Sequence, residues 1–465
     1  MDLAGKRVLV VGLGKSGVAS ARFLTARGAK VGVSDAKSQE QLREEIPALL
    51  DQGIIVETGQ HGERTFRDQD LIVVSPGVPF DVPQLVHARE LGIPVIGEVE
   101  LAARFLKGHI VAITGSNGKT TTTALAGEII SAAGRKTLVG GNIGTPAISF
   151  ADRSTDDSWI VLEISSFQLE TIETFHPHIA VVLNITPDHL DRHRTFENYA
   201  AAKARIFENQ TAGDFAVFNA DNEPCVALAS QTKAQVRWFS RLKEVRNGAF
   251  IRGDRIVWRD AKAEREIMPV SEIGLKGAHN VENVLAAVTV GMLAEIEPAQ
   301  IRRAVAEFKA VEHRLEYVAT IGGVEYYNDS KATNVDATIK ALESFPGGIH
   351  LILGGKDKGS DYSVLNDLLR ERVKRVYTIG AAAAKIESQA HGAEIVSAGT
   401  LDAAVRRASE AAVPGEIVLL APACASFDQF DSYEHRGRIF KELVRQLATR
   451  KQARERVGSV PGGGE

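Results

Sequence analysis

The amino-acid sequence predicts an α/β protein of three domains, in which short buried strands alternate with helices. Near residues 12 and 115, an apolar strand is followed at once by a glycine-rich loop and a helical pattern. The same alternation starts anew after about residue 311, and the 465 residues are about three times the length of a typical domain. We therefore expect domains over residues 1–97, 98–310 and 311–450, followed by a disordered tail over 451–465.

The composition is that of an ordinary globular protein. Hydrophobic residues make up 44% and charged residues 25%, and the net charge of −4 argues against nucleic-acid binding. The two cysteines, Cys225 and Cys424, indicate a reducing compartment without disulfides. No apolar run reaches the roughly 18 residues of a membrane span, and the first residues do not resemble a signal peptide. We therefore expect a cytoplasmic protein.

The N-terminal domain carries the first candidate nucleotide site. Residues 6–11 have the pattern of a buried strand, and Gly12–Gly17 matches G-x-G-x-x-G ahead of a helix, as in Rossmann-like domains. Asp35 ends a second strand near the spacing of a ribose-binding acid, and a third strand runs into the stiff turn Pro76–Pro79. The pattern alone suits NAD or another nucleotide, and the alternative for Asp35 is a helix cap or loop acid.

The central domain contains a phosphate loop, Thr114–Thr120, between a strand and a helix. Its glycines let successive N–H groups point into one hollow, which suits a phosphate. Lys119 supplies a mobile positive charge for the outer phosphates, and the Thr120 hydroxyl can ligate Mg²⁺. The loop is a short variant of the P-loop, because Ile113 stands where the longer motif has glycine. The sequence therefore predicts a nucleoside-triphosphate site.

Two residues on the strands that follow are candidate Mg²⁺ ligands. Glu163 lies inside an apolar strand, where a carboxylate is costly unless it is paired or binds metal. His189 follows the next strand, at the position where P-loop enzymes commonly place an acid that helps hold Mg²⁺. The alternative for His189 is a structural role, which is more common for a lone histidine.

Two later helices and three polar loops carry further candidates. Lys203 shares a helical face with apolar residues, and its spacing alone indicates a solvated or snorkelling lysine. Asn280 and Asn283 lie on one helical face, where amides suit the edge of a base, with helix capping as an equal alternative. The loops at 328–333, 354–359 and 421–433 follow strands but do not by themselves name a substrate.

In this order the motifs resemble those of the Mur ligases, the ATP-dependent amide-forming enzymes of peptidoglycan precursor synthesis. The segments that carry this resemblance are Thr114–Thr120, His279–Asn283, His313–Arg314, Asn328–Thr333 and Gly354–Lys358. Four further segments are similar to those of the members that add D-glutamate: Gly12–Gly17, Ser75–Pro79, Leu162–Glu170 and Pro422–Phe430. The resemblance covers nearly the whole chain up to about residue 450.

The resemblance implies a ligase of cell-wall biogenesis, on which cell shape and division depend. Its substrates would be UDP-N-acetylmuramoyl-L-alanine, D-glutamate and ATP, with an acyl-phosphate intermediate and ADP and phosphate as products. It also implies a Rossmann-like UDP-binding first domain, a P-loop ATPase-like second domain and a Rossmann-like third domain. Two Mg²⁺ sites are implied, one of them bridged by a carbamylated Lys203. We expect a monomer without nucleic-acid partners or stable membrane insertion.

The resemblance assigns roles residue by residue. The implied catalytic set is Lys119, Glu163, His189, Lys203 and Arg314. The implied ATP-binding set is Gly115, Ser116, Asn117, Gly118, Lys119, Thr120, Thr121, Asn280, Asn283, Arg314, Asp329 and Lys331. The implied UDP-substrate set is Gly14, Lys15, Ser16, Asp35, Ser75, Pro76, Gly77, Asn142 and His189. The D-glutamate set is Thr333, Lys358, Ser426, Phe427 and Tyr433, and the metal ligands are Thr120, Glu163, His189 and Lys203.

Three alternatives stay open on the sequence. The first is another Mur-type or folylpolyglutamate-type ligase with a different amino acid. The second is an NAD-dependent dehydrogenase that uses Gly12–Gly17, which leaves the phosphate loop and Glu163 unexplained. The third is a non-catalytic regulator that binds a UDP-sugar, against which the intact Lys119, Glu163 and Lys203 argue.

Overall fold

The computed structural model describes residues 1–43, 45–309 and 311–458, with side chains through residue 449. The chain forms two compact units. The larger unit comprises Met1–Ile185, Glu197–Glu272 and Glu282–Glu307, and the smaller unit comprises Thr186–Phe196, Ile273–Val281 and the residues from Phe308 onwards. The predicted boundaries near 97 and 310 therefore stay predictions, since the two units follow a different division.

The strands of the described chain form three sheets. They are β1 (Arg7–Val11), β2 (Lys30–Asp35), β3 (Ile55–Thr58), β4 (Leu71–Val74), β5 (Val95–Gly97), β6 (His109–Thr114), β7 (Thr137–Gly141), β8 (Trp159–Glu163), β9 (Ile179–Val182), β10 (Phe215–Asn219), β11 (Gln235–Ser240), β12 (Gly248–Arg252), β13 (Arg255–Arg259), β14 (Glu264–Pro269), β15 (Glu316–Ile321), β16 (Val324–Asn328), β17 (Ile349–Gly354), β18 (Val373–Ile379), β19 (Glu394–Gly399) and β20 (Ile417–Leu420).

Helices follow most of these strands. They are α1 (Lys15–Ala26), α2 (Ile46–Leu50), α3 (Glu63–Arg67), α4 (Pro83–Glu90), α5 (Glu98–Ala103), α6 (Lys119–Ala132), α7 (Ser166–Leu169), α8 (Leu190–His193), α9 (Phe196–Ala204), α10 (Glu223–Leu228), α11 (Ala278–Leu293), α12 (Pro298–Glu307), α13 (Val335–Glu343), α14 (Asn366–Arg372), α15 (Ala383–Gln389), α16 (Leu401–Ala411) and α17 (Tyr433–Gly458). Short 3₁₀ turns lie at Ala147–Phe150, Arg205–Phe207, Ala229–Gln231, Val270–Glu272 and Ser363–Leu365.

The first sheet of the larger unit is parallel and has the strand order β3-β2-β1-β4-β5. This is the Rossmann-like arrangement that Gly12–Gly17 predicts. A Cβ atom at Gly17 would lie 1.8 Å from the Gly12 carbonyl oxygen, so only glycine allows α1 to start this close to β1. The first βα loop is thereby held against the carboxyl end of the sheet, where ligands of such folds bind.

The second sheet of the larger unit has the order β14-β13-β12-β11-β10-β9-β6-β8-β7. Strands β6 to β12 are parallel within it, whereas β12, β13 and β14 pair antiparallel. The turn between β12 and β13 contains Gly253 with φ of +60°, a conformation that favours glycine. β6 lies between β9 and β8, so the phosphate loop and Glu163 start from neighbouring strand ends.

The sheet of the smaller unit has the order β15-β16-β20-β17-β18-β19 and is parallel except for the β15–β16 hairpin. Leu351 and Leu353 of β17 pack in one core cluster, while Ile352 packs in another with Leu420. Alternate residues of the strand therefore face helices on both sides, as expected for a parallel sheet. The carboxyl ends of β16, β20 and β17 lie side by side, so the loops that follow them meet at one edge.

The sequence-based prediction and the structure differ mainly in short or weakly apolar elements. The prediction did not single out β3, β5, β7 or β19, which are brief or half exposed. At the C-terminus, α17 continues to Gly458, although a disordered tail is predicted from 451, because Lys, Gln, Ala, Arg and Glu all favour helix there. Residues 459–465 of the predicted tail lie outside the described residues. Across the described chain, no helix combines the length and apolar character needed to cross a bilayer.

Candidate active site

The phosphate loop of the larger unit closes around its own lysine. β6 ends at Thr114 and α6 begins at Lys119, whose Nζ donates hydrogen bonds to the carbonyl oxygens of Gly115 (2.8 Å) and Ser116 (2.9 Å). Gly118 has φ of +86°, and a Cβ atom there would lie 2.1 Å from Oδ1 of Asn283. The sharp bend and the close approach both require glycine. The loop therefore places a cation at the N-terminus of α6, where anions bind readily.

Polar side chains hold this loop in shape while leaving buried donors inside it. The amide of Asn117 donates to Oδ1 of Asn184 (2.8 Å), and Nδ2 of Asn184 donates back to the Asn117 carbonyl (3.1 Å). In the described part of the chain, the buried hydroxyls of Thr114 and Thr121 have no hydrogen-bond partner. Buried polar groups normally have partners, so these hydroxyls are suited to bind the oxygens of a ligand.

Glu163 lies at the end of β8 and is only 1% exposed. Its Oε2 accepts a hydrogen bond from the Thr120 hydroxyl (2.7 Å), and its Oε1 accepts one from Nδ2 of Asn142 (2.9 Å). The strand order brings this carboxylate to Thr120, the second residue of α6. Carboxylate, hydroxyl and amide oxygens are the hard ligands that Mg²⁺ prefers, so the donor set fits this ion.

Lys203, on α9, is also 1% exposed, which excludes the solvated alternative. Its Nζ donates to the Gly115 carbonyl (2.8 Å) and lies 4.6 Å from the centre of the Tyr199 ring. The Tyr199 hydroxyl lies 3.0 Å from the Ser116 hydroxyl. Tyr199 and Lys203 thus reach the phosphate loop from the same face of α9.

In the N-terminal sheet, Asp35 joins two loops at the carboxyl edge. Its carboxylate accepts hydrogen bonds from the amides of Leu13 (2.6 Å) and Lys37 (2.8 Å), which is the loop-acid arrangement. The Ser75 hydroxyl donates to the Gly12 carbonyl (2.7 Å). The other predicted positions of this domain surround that edge and are at least partly exposed: Gly14, Lys15, Ser16, Pro76 and Gly77.

The smaller unit contains a cavity of about 530 Å³ whose wall includes Lys358 and three acidic residues, Asp188, Asp336 and Asp361. Asp188 accepts a hydrogen bond from Nδ2 of Asn334 (3.0 Å), and its Oδ1 lies 3.6 Å from Nζ of Lys358. The sequence analysis did not single out Asp188, although it directly precedes His189 in the loop after β9. His189 has φ of +53° and also lines the cavity. It belongs to the smaller unit, whereas Glu163 and Lys203 belong to the larger one.

Three loops at the carboxyl edge of the smaller unit's sheet hold most of the remaining candidates. We call them the β16 loop (329–334), the β17 loop (355–362) and the β20 loop (421–432). Lys331 donates to the Tyr433 hydroxyl (3.2 Å), and its Nζ lies 5.0 Å from the centre of that ring. The amide of Thr333 donates to the Lys331 carbonyl (2.8 Å). Ser426 is buried, while the neighbouring Phe427 is 68% exposed.

Asp329, the first residue of the β16 loop, is buried, and burial raises its carboxyl pKa to about 6 against the opposing charge of Arg314. Within the described residues, Oδ1 of Asp329 and Nε of Arg314 have no hydrogen-bond partner. One is an acceptor suited to a hydroxyl and the other a donor suited to a phosphate. Together they are complementary to a nucleotide.

The two asparagines of α11 are used differently. Nδ2 of Asn280 donates to the Lys276 carbonyl (2.6 Å), in the smaller unit. Oδ1 of Asn283 accepts from the Thr122 hydroxyl (3.3 Å), in the larger unit. Asn280 therefore bonds the backbone just ahead of α11, whereas Asn283 bonds a side chain of α6.

The chain is similar in sequence to known protein families over most of its length. Three family models match consecutive parts of the chain: "Mur ligase MurD-like, N-terminal domain" over residues 6–97, "Mur ligase middle domain" over 113–291 and "Mur ligase, glutamate ligase domain" over 313–424. A UDP-N-acetylmuramoylalanine–D-glutamate ligase of Koribacter versatilis is 73% identical over 452 residues, which are 97% of this chain and 100% of that protein. The chain belongs to the Mur ligase family.

Two further similarities agree with this family. A protein of the same name from Acidobacterium capsulatum is 62% identical over 96% of this chain and 97% of its own. Among solved structures, a pseudomurein peptide ligase type C from Methanothermus fervidus has a TM-score of 0.61 at 18% identity, covering 95% of this chain and 100% of that one. This likeness supports the three-domain α/β fold of a Mur ligase, and family membership removes the dehydrogenase alternative.

Proposed function

We propose that this Mur ligase joins D-glutamate to UDP-N-acetylmuramoyl-L-alanine and converts ATP to ADP and phosphate, as a step of peptidoglycan precursor synthesis. The observation that carries the proposal is the 73% identity, over the full length, to a relative with that substrate pair in its name. The phosphate loop with Lys119, Thr120 and Glu163 supports the nucleotide part of the reaction. The charged cavity of the smaller unit supports the amino-acid part.

ATP would occupy the phosphate loop, with Gly115–Thr121 around the phosphates. Thr120 and Glu163 would hold Mg²⁺, because their oxygens already lie 2.7 Å apart and suit this ion. When bound, Mg²⁺ neutralises phosphate charge. Nε of Arg314 and Oδ1 of Asp329, which have no hydrogen-bond partner among the described residues, would bind the nucleotide, with Lys331, Asn280 and Asn283 as further contacts.

A second Mg²⁺ site would use His189 and a carbamylated Lys203. A carbamate turns the buried cation of Lys203 into an anion with two oxygens, which converts it into a metal ligand. A crystal structure obtained with bicarbonate and Mg²⁺ tests this modification. Density for a carbamate on Nζ is expected, whereas an unmodified ammonium on Lys203 under these conditions refutes it.

The UDP part of the substrate would occupy the edge of the N-terminal sheet. Backbone amides of the first βα loop, Gly14–Ser16, and the turn Ser75–Gly77 are suited to the diphosphate. Asp35 would reach the nucleoside only through its lone pairs that the Leu13 and Lys37 amides leave available. Asn142, which bonds Glu163, would connect the sugar end to the ATP site.

D-Glutamate would bind in the smaller unit. Its ammonium group is complementary to the Asp188 carboxylate, and its carboxylates are complementary to Lys358, which lies 3.6 Å from Asp188. Of the predicted D-glutamate residues, Lys358 lines the cavity, and Thr333, Ser426, Phe427 and Tyr433 would contact the amino acid from outside that lining. A free amino acid carries both signs of charge, so a cavity wall with an adjacent carboxylate and ammonium suits this class of substrate.

The chemistry proceeds in two steps. An oxygen of the L-alanyl carboxylate attacks the γ-phosphorus of ATP, and the bond to ADP breaks, which leaves an acyl phosphate. The amine of D-glutamate then attacks the acyl carbon, loses a proton and expels phosphate, so that an amide forms. Lys119 and Arg314 counter the negative charge of the approaching groups, which otherwise repel each other.

Release of phosphate tests the proposed function. The full chain is assayed with ATP, Mg²⁺ and UDP-N-acetylmuramoyl-L-alanine, and with D-glutamate, L-glutamate, L-alanine or meso-diaminopimelate. Release with D-glutamate alone is expected. Release with another amino acid reassigns the pocket to another Mur-type or folylpolyglutamate-type ligase. Silence with all four, in folded protein, favours the UDP-sugar-binding regulator.

We further propose that the enzyme acts in the cytoplasm as a monomer. The water-soluble small-molecule substrates support the cytoplasmic part of this proposal. Sedimentation of the purified chain at micromolar concentration measures the oligomeric state, and a mass twice that of the 50.1 kDa chain contradicts the monomer.

A further inference from the structure

A fully buried arginine lies beneath the three loops of the smaller unit. Arg436, in the first turn of α17, has 0% exposure and is not among the residues that the sequence predicts to function. Burial lowers the pKa of its guanidinium to about 10, so it stays charged at neutral pH. Among the described residues, no carboxylate accepts a hydrogen bond from it. A buried charge without an ion-pair partner is costly, so its presence needs a reason.

The guanidinium connects the β16 loop to the β20 loop. Nε donates to the Ser330 hydroxyl (3.0 Å) and Nη2 to the Ser330 carbonyl (2.8 Å). Nη1 and Nη2 donate to the Cys424 carbonyl (3.2 and 3.1 Å), and Nη1 also reaches the Ala425 carbonyl (3.4 Å). Because the guanidinium is planar and rigid, these bonds set the distance between two loop backbones.

The β17 loop joins the same arrangement. The Ala425 carbonyl also accepts the amide of Lys356 (2.8 Å), and the Ala425 amide donates to the Lys356 carbonyl (3.1 Å). A Cβ atom at Gly355 would lie 2.3 Å from the Ala425 carbonyl oxygen and 3.2 Å from Nη1 of Arg436. Glycine at 355 therefore lets the β17 loop pass directly over the guanidinium.

The bonded residues are direct neighbours of proposed substrate contacts. Ser330 stands between Asp329 and Lys331, which face the nucleotide in the proposed function. Ala425 precedes Ser426 of the D-glutamate pocket, and Lys356 lies two residues before Lys358. The Ser330 hydroxyl also donates to the Tyr433 carbonyl (2.8 Å), which fixes the start of α17.

We propose that Arg436 is a positioning residue that sets the β16, β17 and β20 loops relative to one another, and thereby aligns the nucleotide and D-glutamate subsites of the smaller unit. This inference rests on the proposed function for its kinetic consequence only. Arg436 touches no substrate in this account. Its charge provides strong hydrogen bonds to neutral carbonyls, which a neutral side chain could not give.

Three variants test the proposal: Arg436→Met, Arg436→Lys and Ser330→Ala. Arg436→Met is expected to raise the KM for ATP and for D-glutamate together by about tenfold, since loops that shift by fractions of an ångström misplace both ligands. The KM for UDP-N-acetylmuramoyl-L-alanine, whose nucleotide would bind in the larger unit, is expected to stay unchanged. Arg436→Lys keeps the charge without the planar fork and is expected to give an intermediate effect.

Arg372→Met is the matched control. Arg372 also donates from one nitrogen to several carbonyls, those of Leu342, Glu343 and Phe345, at the end of α13. This variant is expected to lower the thermal midpoint without changing either KM. If Arg436→Met does the same, with lower stability and unaltered KM values, Arg436 is only structural and the proposal is overturned. If Arg436→Met does not fold, Ser330→Ala decides by the same criterion.

Hydrogen exchange supplies a readout that does not depend on turnover. Amides of all three loops are expected to exchange faster in Arg436→Lys and Ser330→Ala than in the wild type, and not in Arg372→Met. Unchanged exchange in the loops overturns the proposal even in an active enzyme. If the two variants exchange faster in these loops while the wild-type chain releases no phosphate with any of the four amino acids, the positioning role is supported and only the proposed substrates are refuted.

Discussion

The phosphate loop of the larger unit and the three loops of the smaller unit bring polar groups together in different ways. In the first, the consecutive residues 114–120 supply the bend, the amide donors and the cation, and Lys119 bonds the carbonyls of its own loop. In the second, groups from three separate loops meet at one sheet edge, where Arg436 bonds two of the loops and Ala425 bonds the third. The first site is local in sequence, and the second exists only after the sheet has formed.

This difference determines how many ligands a single substitution affects. In the phosphate loop, one side chain performs one task, so its removal affects one ligand. In the smaller unit, Arg436 and Ser330 support groups on several loops, so their removal affects two ligands at once. The following predictions test this contrast, from the largest expected effect to the smallest.

Lys119→Ala is expected to lower turnover by about a hundredfold or more, since one preorganised electrostatic group near the transferred phosphate is lost. The folded structure is expected to survive, because the loop keeps its glycine bend and the pairing of Asn117 with Asn184. Single-turnover phosphate release measures the effect, with Lys136→Ala on the surface of the same sheet as the control. Near-normal turnover would show that the site does not depend on the lysine of its own loop, and would contradict the contrast.

Lys358→Ala is expected to raise the KM for D-glutamate by about ten- to hundredfold, the range for losing a hydrogen bond to a charged group. The KM for ATP is expected to change little, in contrast to the Arg436 variants, because Lys358 has one proposed ligand. Lys374→Ala, at the opposite end of the sheet, is the control. An unchanged KM for D-glutamate places the pocket elsewhere.

Much of the larger unit's site could be predicted because its signals are local. The strand, the glycines and Lys119 stand together, and the burial of Glu163 follows from the apolar run around it. Less of the smaller unit's site could be predicted from the sequence. Asp188 follows a short strand like any loop acid, and Arg436 lies in a helix whose charged composition indicates a surface. Which of its charges becomes buried depends on contacts with distant loops, and single-sequence patterns do not contain them.

The larger unit also contains a buried carboxylate that has no part in the proposed chemistry. Glu98, at the start of α5, is 1% exposed, and burial raises its pKa from 4.5 to about 7. Its Oε1 accepts the Ile148 amide (2.7 Å), while Oε2 has no hydrogen-bond partner in the part of the chain that the structure describes. The folded state therefore holds the proton more tightly than the unfolded state does.

The sign of the pH dependence follows from this shift. The contribution of Glu98 to stability is complete below pH 4.5 and is lost as the pH rises towards 7. Glu98→Gln keeps an acceptor for Ile148 but cannot titrate. The difference in free energy of unfolding, variant minus wild type, is expected to increase by up to about 1.4 kcal/mol per pH unit between these limits. Urea unfolding at pH 5, 6, 7 and 8 measures the difference, and parallel curves contradict the assignment.

Tyr433→Phe is the smallest expected effect and the finest test of the smaller unit. The phenol oxygen accepts one hydrogen bond from Lys331 (3.2 Å), while the ring and the Tyr433 carbonyl, which binds Ser330, remain in the variant. Losing one such bond is expected to raise the KM for ATP about threefold, because Lys331 belongs to the nucleotide side. The KM for D-glutamate is expected to change less, because the ring that Tyr433 contributes to the proposed pocket remains. Tyr326→Phe, on β16 with its side chain in the core, is the control and is expected to leave both KM values unchanged. If Tyr433→Phe instead raises both KM values as strongly as Arg436→Met, the hydroxyl and not the guanidinium aligns the loops, because the phenol is then the group on which both subsites depend.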